Sequence, residues 1–382
     1  MNRSISSTTK YNYKFDSLLL FGFLSLLSFS IVIVGSASIA IVEKFQVSEF
    51  YFIIHHIIYL IISLIGCFVC TCIPVKYIEK FSIYAAIIGL LLLILVFVPG
   101  LSRNVNGAFR WIYIGKISIQ SSEFAKLLLI VYIAGYLVRR KDNIKYHFTG
   151  FIVPLFILLS FDVLLLLEPD FGTVFIISCT VFSLLFIAGV KLRYLLFLSL
   201  LAGISIFSLL FTSTYRLQRI IGFLNPWNDQ FNKGYQLVQS LIAFGRGGWL
   251  GIGLGNSVQK LLYLPEAYTD FIFAIIAEEL GFVGALIVII LLSLIVFRCF
   301  KIAQTAMFAK KYFSGYLGFG IAFWLALQSM VNIGVNIGLL PTKGLTLPFI
   351  SYGGNSLLVC CLGVGLLFRI DFEMHEKLVK VI

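Results

Sequence analysis

Apolar stretches close to the ~20 residues that a helix needs to cross a bilayer recur along the whole chain. They lie at 18–42, 50–73, 82–99, 121–138, 148–167, 171–188, 194–212, 271–297, 315–339 and 349–368. The runs are continuously apolar. They lack the alternation over roughly ten-residue segments that marks a membrane barrel, so the runs are read as ten helices rather than strands. Polar residues gather between and beyond them, in tails at 1–17 and 369–382 and in loops at 100–120, 213–270 and 340–348. The fourth run is the least apolar, because Glu123 and Lys126 sit in its first turns.

Composition pushes the same way. Of 382 residues, 60% are hydrophobic, against roughly 45–50% in soluble domains, and 12% are charged, about half the usual share. That mix excludes disorder, a short disulfide-stapled module and a soluble α/β enzyme. The net charge of +12 does not by itself imply nucleic acid, and no nucleic-acid partner is expected; the lipid bilayer is. Ten crossings put both termini on one side. Placing the N-terminus in the cytoplasm gives that side 18 Lys and Arg, against five in the short outer loops, as the positive-inside rule requires. The expected fold is an all-α integral membrane protein. It has ten transmembrane helices in a single domain over 18–368, both termini cytoplasmic, and a large outer loop between the seventh and eighth helices. The +12 then sits mainly on the cytoplasmic side, beside anionic lipid heads. Ser36-Ala37-Ser38 and Ala40 resemble a signal-peptide cleavage site, but the preceding run is too long for one, so an uncleaved first helix is expected.

Some polar residues carry little chemistry. The seven cysteines lie in or beside predicted helices; Cys67 and Cys70 form a CxxC next to Cys72, yet nothing nearby supplies partners for zinc or redox work. His55 and His56 adjoin inside the second helix without a second ligand pair, so no metal site is predicted. Asp162 lies in the fifth helix with no evident partner, and Glu278 and Glu279 lie two turns into the eighth, where carboxylates are costly unless a polar surrounding receives them.

The outer connections are different. Loop 100–120 holds Asn106-Gly107-Ala108-Phe109-Arg110-Trp111-Ile112, and loop 213–270 holds Asn225-Pro226-Trp227, Gly234-Tyr235-Gln236 and Phe244-Gly245-Arg246-Gly247-Gly248-Trp249. Its glycines permit close backbone approach without the Gly-Lys-Ser/Thr ending of a nucleotide loop, which points to a re-entrant or loop segment shaping a site. Trp111, Trp227 and Trp249 equally suit interfacial anchors. Glu168-Pro169-Asp170 is a sharp turn in which Asp170 suits an N-cap, and Leu264-Pro265-Glu266-Ala267-Tyr268-Thr269-Asp270 leads into the eighth helix, where Thr269 or Asp270 suits another. Glu123 and Lys126, three apart, share a helix face and suit a structural ion pair as well as a site. Arg110, Arg216, Arg219, Arg246, Lys260 and Lys343 are the cations available to an anionic substrate group, although exposed Arg and Lys often only hydrate or snorkel. Residues 341–356 break the helix with two prolines and three glycines around Lys343, Tyr352 and several hydroxyls, as tolerated where backbone lines a cavity. Together these residues describe an outward-opening polar pocket beside lipid.

The same motifs resemble the SEDS (shape, elongation, division, sporulation) family, and within it the cell-division branch. The likeness runs from about residue 100 to 369, through GAFRWI at 107–112, QSSEFAK at 120–126, EPDFGT at 168–173, the block 234–284 and PTKGLTLPFISYGGNS at 341–356. Residues 1–99 match only in hydropathy. Two positions depart from the family pattern: Ser121 stands where Pro is usual, and Glu168 where Gln is usual. The resemblance implies a ten-helix glycosyltransferase that polymerises lipid II on the outer face of the bacterial inner membrane, at the division septum. It also implies a complex with a class B penicillin-binding protein, the septal transpeptidase, and with other divisome membrane proteins. By carry-over, Asp270 is the catalytic carboxylate, and Arg110, Glu123, Lys126, Asp170, Glu266 and Lys343 line or support the cavity.

Glycosyl transfer from a lipid diphosphate needs a base for the attacking hydroxyl and cations for the leaving group. Asp270 is the expected base, with Arg110, Arg246 and Lys343 toward the diphosphate. A helix N-terminus would weaken that base unless desolvation and nearby anions push the other way. No cofactor or bound metal is implied, while a divalent cation is compatible with the chemistry. Transport of lipid II across the membrane uses similar charged residues, but nearer the midplane than the mouth. A non-catalytic septal scaffold would need none of them.

Overall fold

The computed structural model describes residues 15–39, 42, 46, 48, 50–105, 108–115, 117–146, 149–194, 196–197, 222–232 and 234–381. In chain order come α1 (Ser17–Ala37), α2 (Tyr51–Cys72), α3 (Val75–Leu95), and strands β1 (Ser102–Val105), β2 (Ala108–Ile114) and β3 (Ile117–Gln120). Then follow α4 (Ser121–Arg139), α5 (Lys141–Tyr146), α6 (Thr149–Leu167) and α7 (Phe171–Ile187). The rest comprises α8 (Tyr235–Gly247), α9 (Ile272–Phe308), α10 (Tyr312–Asn336) and α11 (Gly354–Val381). Among the described residues, α1, α2, α3, α4, α6, α9 and α10 are long and apolar enough to cross a membrane, and α7 is a shorter apolar helix. The expected helix at 194–212 lies almost wholly outside the described residues, as do Arg216 and Arg219 and most of the tail 1–17.

Boundaries move where polar residues carry a helix past its apolar run. α3 starts at Val75 instead of 82, with Lys76, Glu79 and Lys80 in its first turns. α11 starts at Gly354, after the bends around Gly353, and continues through most of the segment expected as a tail. A small sheet accompanies the helices. Loop 100–120 folds as an antiparallel sheet in the order β1-β2-β3, with Ile112 opposite Ile119 and Trp111 opposite Gln120. Strands this short are held by their partners rather than by a legible alternation, and Gly115, at φ +62°, makes the β2–β3 turn.

The bundle is organised around α4. Some 83% of its apolar stretch is buried, against 28% in α2 and in α3, which turn Ile58, Ile65, Phe68 and Ile87 outward. Lys126 survives at its centre because its ammonium donates to Glu123 Oε1 at 2.9 Å and Gln328 Oε1 at 3.0 Å, and lies 5.4 Å from the Trp324 ring centre. The structural ion pair that the spacing allowed is present. Asp162 acquires a partner in Ser178, whose hydroxyl donates to Oδ2 at 3.0 Å across α6 and α7. His56 is buried against Ser30, 2.9 Å away, and all seven cysteines are free.

The far end of the bundle is tied by ions. Asp16 caps α1 by accepting from Leu19 N at 2.9 Å, and its carboxylate binds the Arg298 guanidinium at two nitrogens. Glu373 accepts from Val75 N and from Arg369, each at 2.9 Å. At the other end the chain makes its most irregular structure. α9 breaks at Gly281, which adopts φ +68°, ψ −165°, and the glycine-rich segment after α8 lies against the break. Ile252 N and Gly253 N donate to the carbonyls of Glu278 and Glu279 at 3.1 and 3.0 Å, while Phe282 N donates to Gly248 O at 2.9 Å. The backbone groups freed by the kink are thus satisfied by the loop. The same loop answers the cost of two buried carboxylates. Glu278 accepts from the Ser257 hydroxyl and from Gln259 N, and Glu279 accepts from Ser36 Oγ at 2.6 Å and Lys260 Nζ at 2.7 Å.

Candidate functional site

Asp270 stands at the end of the turn that enters α9. Glu266 there adopts φ +56°, and its carbonyl accepts from Thr269 N and Phe271 N, each at 3.2 Å. Neither Thr269 nor Asp270 caps the helix with its side chain. The cap comes from α10: Asn336 Oδ1 accepts from Ala274 N at 3.1 Å. The Asp270 carbonyl accepts two amide donors, Asn332 Nδ2 at 2.9 Å and Asn336 Nδ2 at 3.0 Å. Its carboxylate, half-buried, takes no hydrogen bond from the described residues.

Three other segments converge on it. The 341–356 segment is pinned through Tyr352 N to Tyr268 O at 3.0 Å, and through Ser351 Oγ to Thr269 O at 2.6 Å. Gly344 then passes so close that a Cβ added there would lie 3.1 Å from Asp270 Oδ2, which bars a larger residue without a shift. From β2, Arg110 donates to Glu168 O at 3.1 Å and to Pro169 O at 2.6 Å, fastening the sheet to the turn before α7. Asn355 Nδ2 donates to Ser118 O at 2.9 Å and ties the same sheet to the start of α11. Asp170 does cap α7, accepting from Thr173 N at 3.1 Å and Thr173 Oγ1 at 2.8 Å.

The electrostatics follow from this crowding. Burial first, then the Glu266 carboxylate, push Asp270 up to about 7; Asp170 adds to the rise and Arg110 opposes it. The Asp270 carboxylate therefore holds a proton more tightly than an ordinary aspartate although it lies at a helix N-terminus. Burial pulls the Lys343 ammonium down from its ordinary value, while the Cys179 thiol and Asp170 push it back up; the ammonium lies 5.2 Å from the Phe175 ring centre. Glu168 is fully buried, and burial, with Asp170 beside it, pushes it up to about 8 against the Ser121 hydrogen bond and Arg110. Ser121 Oγ lies 3.2 Å from both Glu168 oxygens. The two positions that depart from the family pattern are thus in contact. A hydroxyl has one proton to give, so a neutral Glu168, shaped like the usual Gln, suits the site better than a carboxylate.

Arg110, Asp170, Glu266, Asp270 and Lys343 are brought together at one end of the bundle. Glu123 and Lys126 lie deeper, reaching the site through Gln328, whose amide donates to Thr346 O at 3.0 Å. Arg246 meets Glu278 instead, at 3.6 Å, with 44% of its side chain exposed. Among the described residues no three His, Cys, Asp or Glu side chains group as metal ligands. Gln328, Asn332 and Asn336 escaped the sequence reading, yet they left a signal: three amides four residues apart on one face of an apolar helix.

Comparison with known proteins places the chain among relatives of one kind. A family model described as cell cycle protein, covering FtsW, RodA and SpoVE, matches residues 17–376. The chain is 48% identical to the probable peptidoglycan glycosyltransferase FtsW of Legionella pneumophila, over 94% of this chain and 91% of that protein. It is 47% identical to the protein of the same name from Coxiella burnetii, over 97% and 99%. A solved structure described as showing how a peptidoglycan synthase complex coordinates polymerization and crosslinking superposes with a TM-score of 0.79 at 28% identity, over 95% and 99% of the two chains. The chain belongs to the FtsW/RodA/SpoVE family of multi-pass inner-membrane cell cycle proteins.

Proposed function

We propose that this protein is a peptidoglycan glycosyltransferase that polymerises lipid II at the outer face of the inner membrane during septal division, with Asp270 as its general base. The observation that carries the proposal is the Asp270 carboxylate itself. It is held by its backbone, unused by capping, and raised to about 7, where a base is both ionised and strong enough to accept a proton at neutral pH. The acceptor sugar hydroxyl gives its proton to Asp270 as its oxygen attacks the anomeric carbon of the donor. The bond from that carbon to the diphosphate breaks, its electron pair leaves with the undecaprenyl diphosphate, and the anomeric centre inverts.

Arg110 and Lys343 are the cations for the departing charge. Arg110 is positioned by two carbonyls that take nothing from its charge, and a diphosphate beside the desolvated Lys343 would favour the charged form of its ammonium. Arg246, engaged with Glu278, is placed second to them. Asp170 and Glu266 tune the mouth, and Glu123 with Lys126 supports it from below. A class B penicillin-binding protein is the proposed transpeptidase partner, with other divisome membrane proteins around it. The similar synthase complex, which couples polymerization to crosslinking, supports that assignment.

Purified Asp270→Asn, reconstituted with its cognate transpeptidase and given lipid II, should remain folded and make no glycan polymer. Polymerisation at the wild-type rate would remove Asp270 from the mechanism. Movement of lipid II across liposomes by the same inactive variant would favour transport instead.

A further inference from the structure

The amide ladder on α10 has no part in the chemistry just described, yet two of its three rungs end on the Asp270 carbonyl. Asn332 Nδ2 donates to Asp270 O at 2.9 Å and to Leu345 O at 2.5 Å. One buried side chain therefore holds the segment that carries the base and the segment that carries Lys343. Asn336 grips the same Asp270 carbonyl from one turn further, and its other face holds the first turn of α9 through Ala274 N. The two asparagines also bond each other, Asn336 Nδ2 reaching Asn332 O at 2.9 Å and Oδ1 at 3.4 Å. Gln328 continues the ladder to Thr346 O. Asn332 and Asn336 are 2% and 0% exposed, so neither can touch substrate.

Buried amides this well used are costly to leave half-satisfied, and an apolar helix would pack more simply without them. What they provide is a further tie between two irregular loops, which otherwise meet through Tyr352 N on Tyr268 O and Ser351 Oγ on Thr269 O. We propose that Asn332 and Asn336 are positioning residues that set the Asp270 carboxylate beside the Gly344 backbone of the Lys343 segment, and that Asn332 is a clamp joining the two segments next to the carboxylate. This rests on the assignment of Asp270 as the base.

The groups facing that carboxylate are Glu266 and Tyr268 on its own segment, Arg110 from β2 and Asp170 from the turn before α7, with Lys343 across from Asp170. A released Asp270 would swing away from this crowded, desolvated mouth toward solvent. Its affinity for a proton would then fall toward that of an ordinary carboxylic acid, and the acidic limb of the pH–rate profile would move down with it. A role confined to stability would lower the yield of folded protein and leave that limb in place.

The experiment compares Asn332→Ala, Asn336→Ala and a same-helix control, Ser329→Ala, in the full chain with its transpeptidase and lipid II. Among the described residues, the Ser329 hydroxyl bonds only its own helix, donating to Leu325 O at 2.8 Å. The expected result is a kcat reduced by about a hundredfold in Asn332→Ala, the loss seen when reacting groups are misplaced by an ångström, with KM for lipid II changed less than about threefold. The acidic limb moves to lower pH in both asparagine variants, less in Asn336→Ala, and not in the control. If Asn332→Ala does not fold, the limb of Asn336→Ala decides. An unmoved limb with a near-normal rate per folded molecule overturns the proposal. Its failure is distinct from failure of the base assignment: Asp270→Asn inactive with both asparagine variants normal rejects only the clamp, whereas an active Asp270→Asn rejects the base.

Discussion

At the scale of single residues, the proposed chemistry depends on how one carboxylate is surrounded. Asp270 needs its proton removed before it can serve as a base, so activity should rise with pH through its raised value near 7. Glu266 contributes to that rise as a neighbouring negative charge. Replacing it by Gln removes the charge and retains the shape, so the limb should move to lower pH by up to about one pH unit. Initial rates of polymerisation between pH 5.5 and 8.5, at saturating lipid II, would check this; an upward movement would contradict the assignment. Asp270, Glu266 and Arg110 stand out in the sequence as rare charges at a membrane boundary, but spacing alone suited Asp270 to a helix cap, and the roles of Asp270 and Glu266 came from the family resemblance. Asn332 and Asn336 do not stand out, because uncharged amides in an apolar run raise no alarm until their partners are known. The contact between Ser121 and Glu168 was hidden for another reason: 47 positions separate them, and only the fold brings them together.

At the scale of elements, the decisive feature is the broken α9. A single run of apolar residues predicted one uninterrupted helix, and Gly281 looked no different from glycines elsewhere. Its torsion angles, φ +68° and ψ −165°, lie where essentially only glycine is found. A Cβ there would also collide with the backbone at Trp249 and Gly251. Gly281→Ala should therefore cost on the order of 1–3 kcal/mol in strain, with the collision added. The damage should start in the glycine-rich loop, since its bonds to Glu278, Glu279 and Phe282 need the break. The expected outcome is a lowered Tm in detergent and faster proteolysis between α8 and α9. Unchanged melting would mean that the loop does not depend on the kink. The helices themselves were legible because a bilayer demands long apolar runs, and the polar extensions and the sheet were not because water makes no such demand.

At the scale of the whole molecule, the proposal requires the site to face outward, and the charge pattern supports that orientation. The end opposite the site carries Lys76, Lys80, Arg139, Arg140, Lys310 and Arg369, whereas the site end balances its cations with Asp170, Glu266 and Asp270. Such an excess of Lys and Arg holds a loop in the cytoplasm during insertion, and the net +12 is its visible trace. Two exposed positions test the orientation directly. Phe231, 80% exposed, precedes α8 on the site side, and Lys310 lies exposed between α9 and α10 on the other. Single cysteines at these positions, in a background without the seven native ones, should separate cleanly under a membrane-impermeant maleimide. Phe231→Cys should be labelled in intact cells with a permeabilised outer membrane, and Lys310→Cys only after the inner membrane is opened. The reverse pattern would place the carboxylate of Asp270 in the cytoplasm, away from any growing wall, and the glycosyltransferase assignment would fall with it.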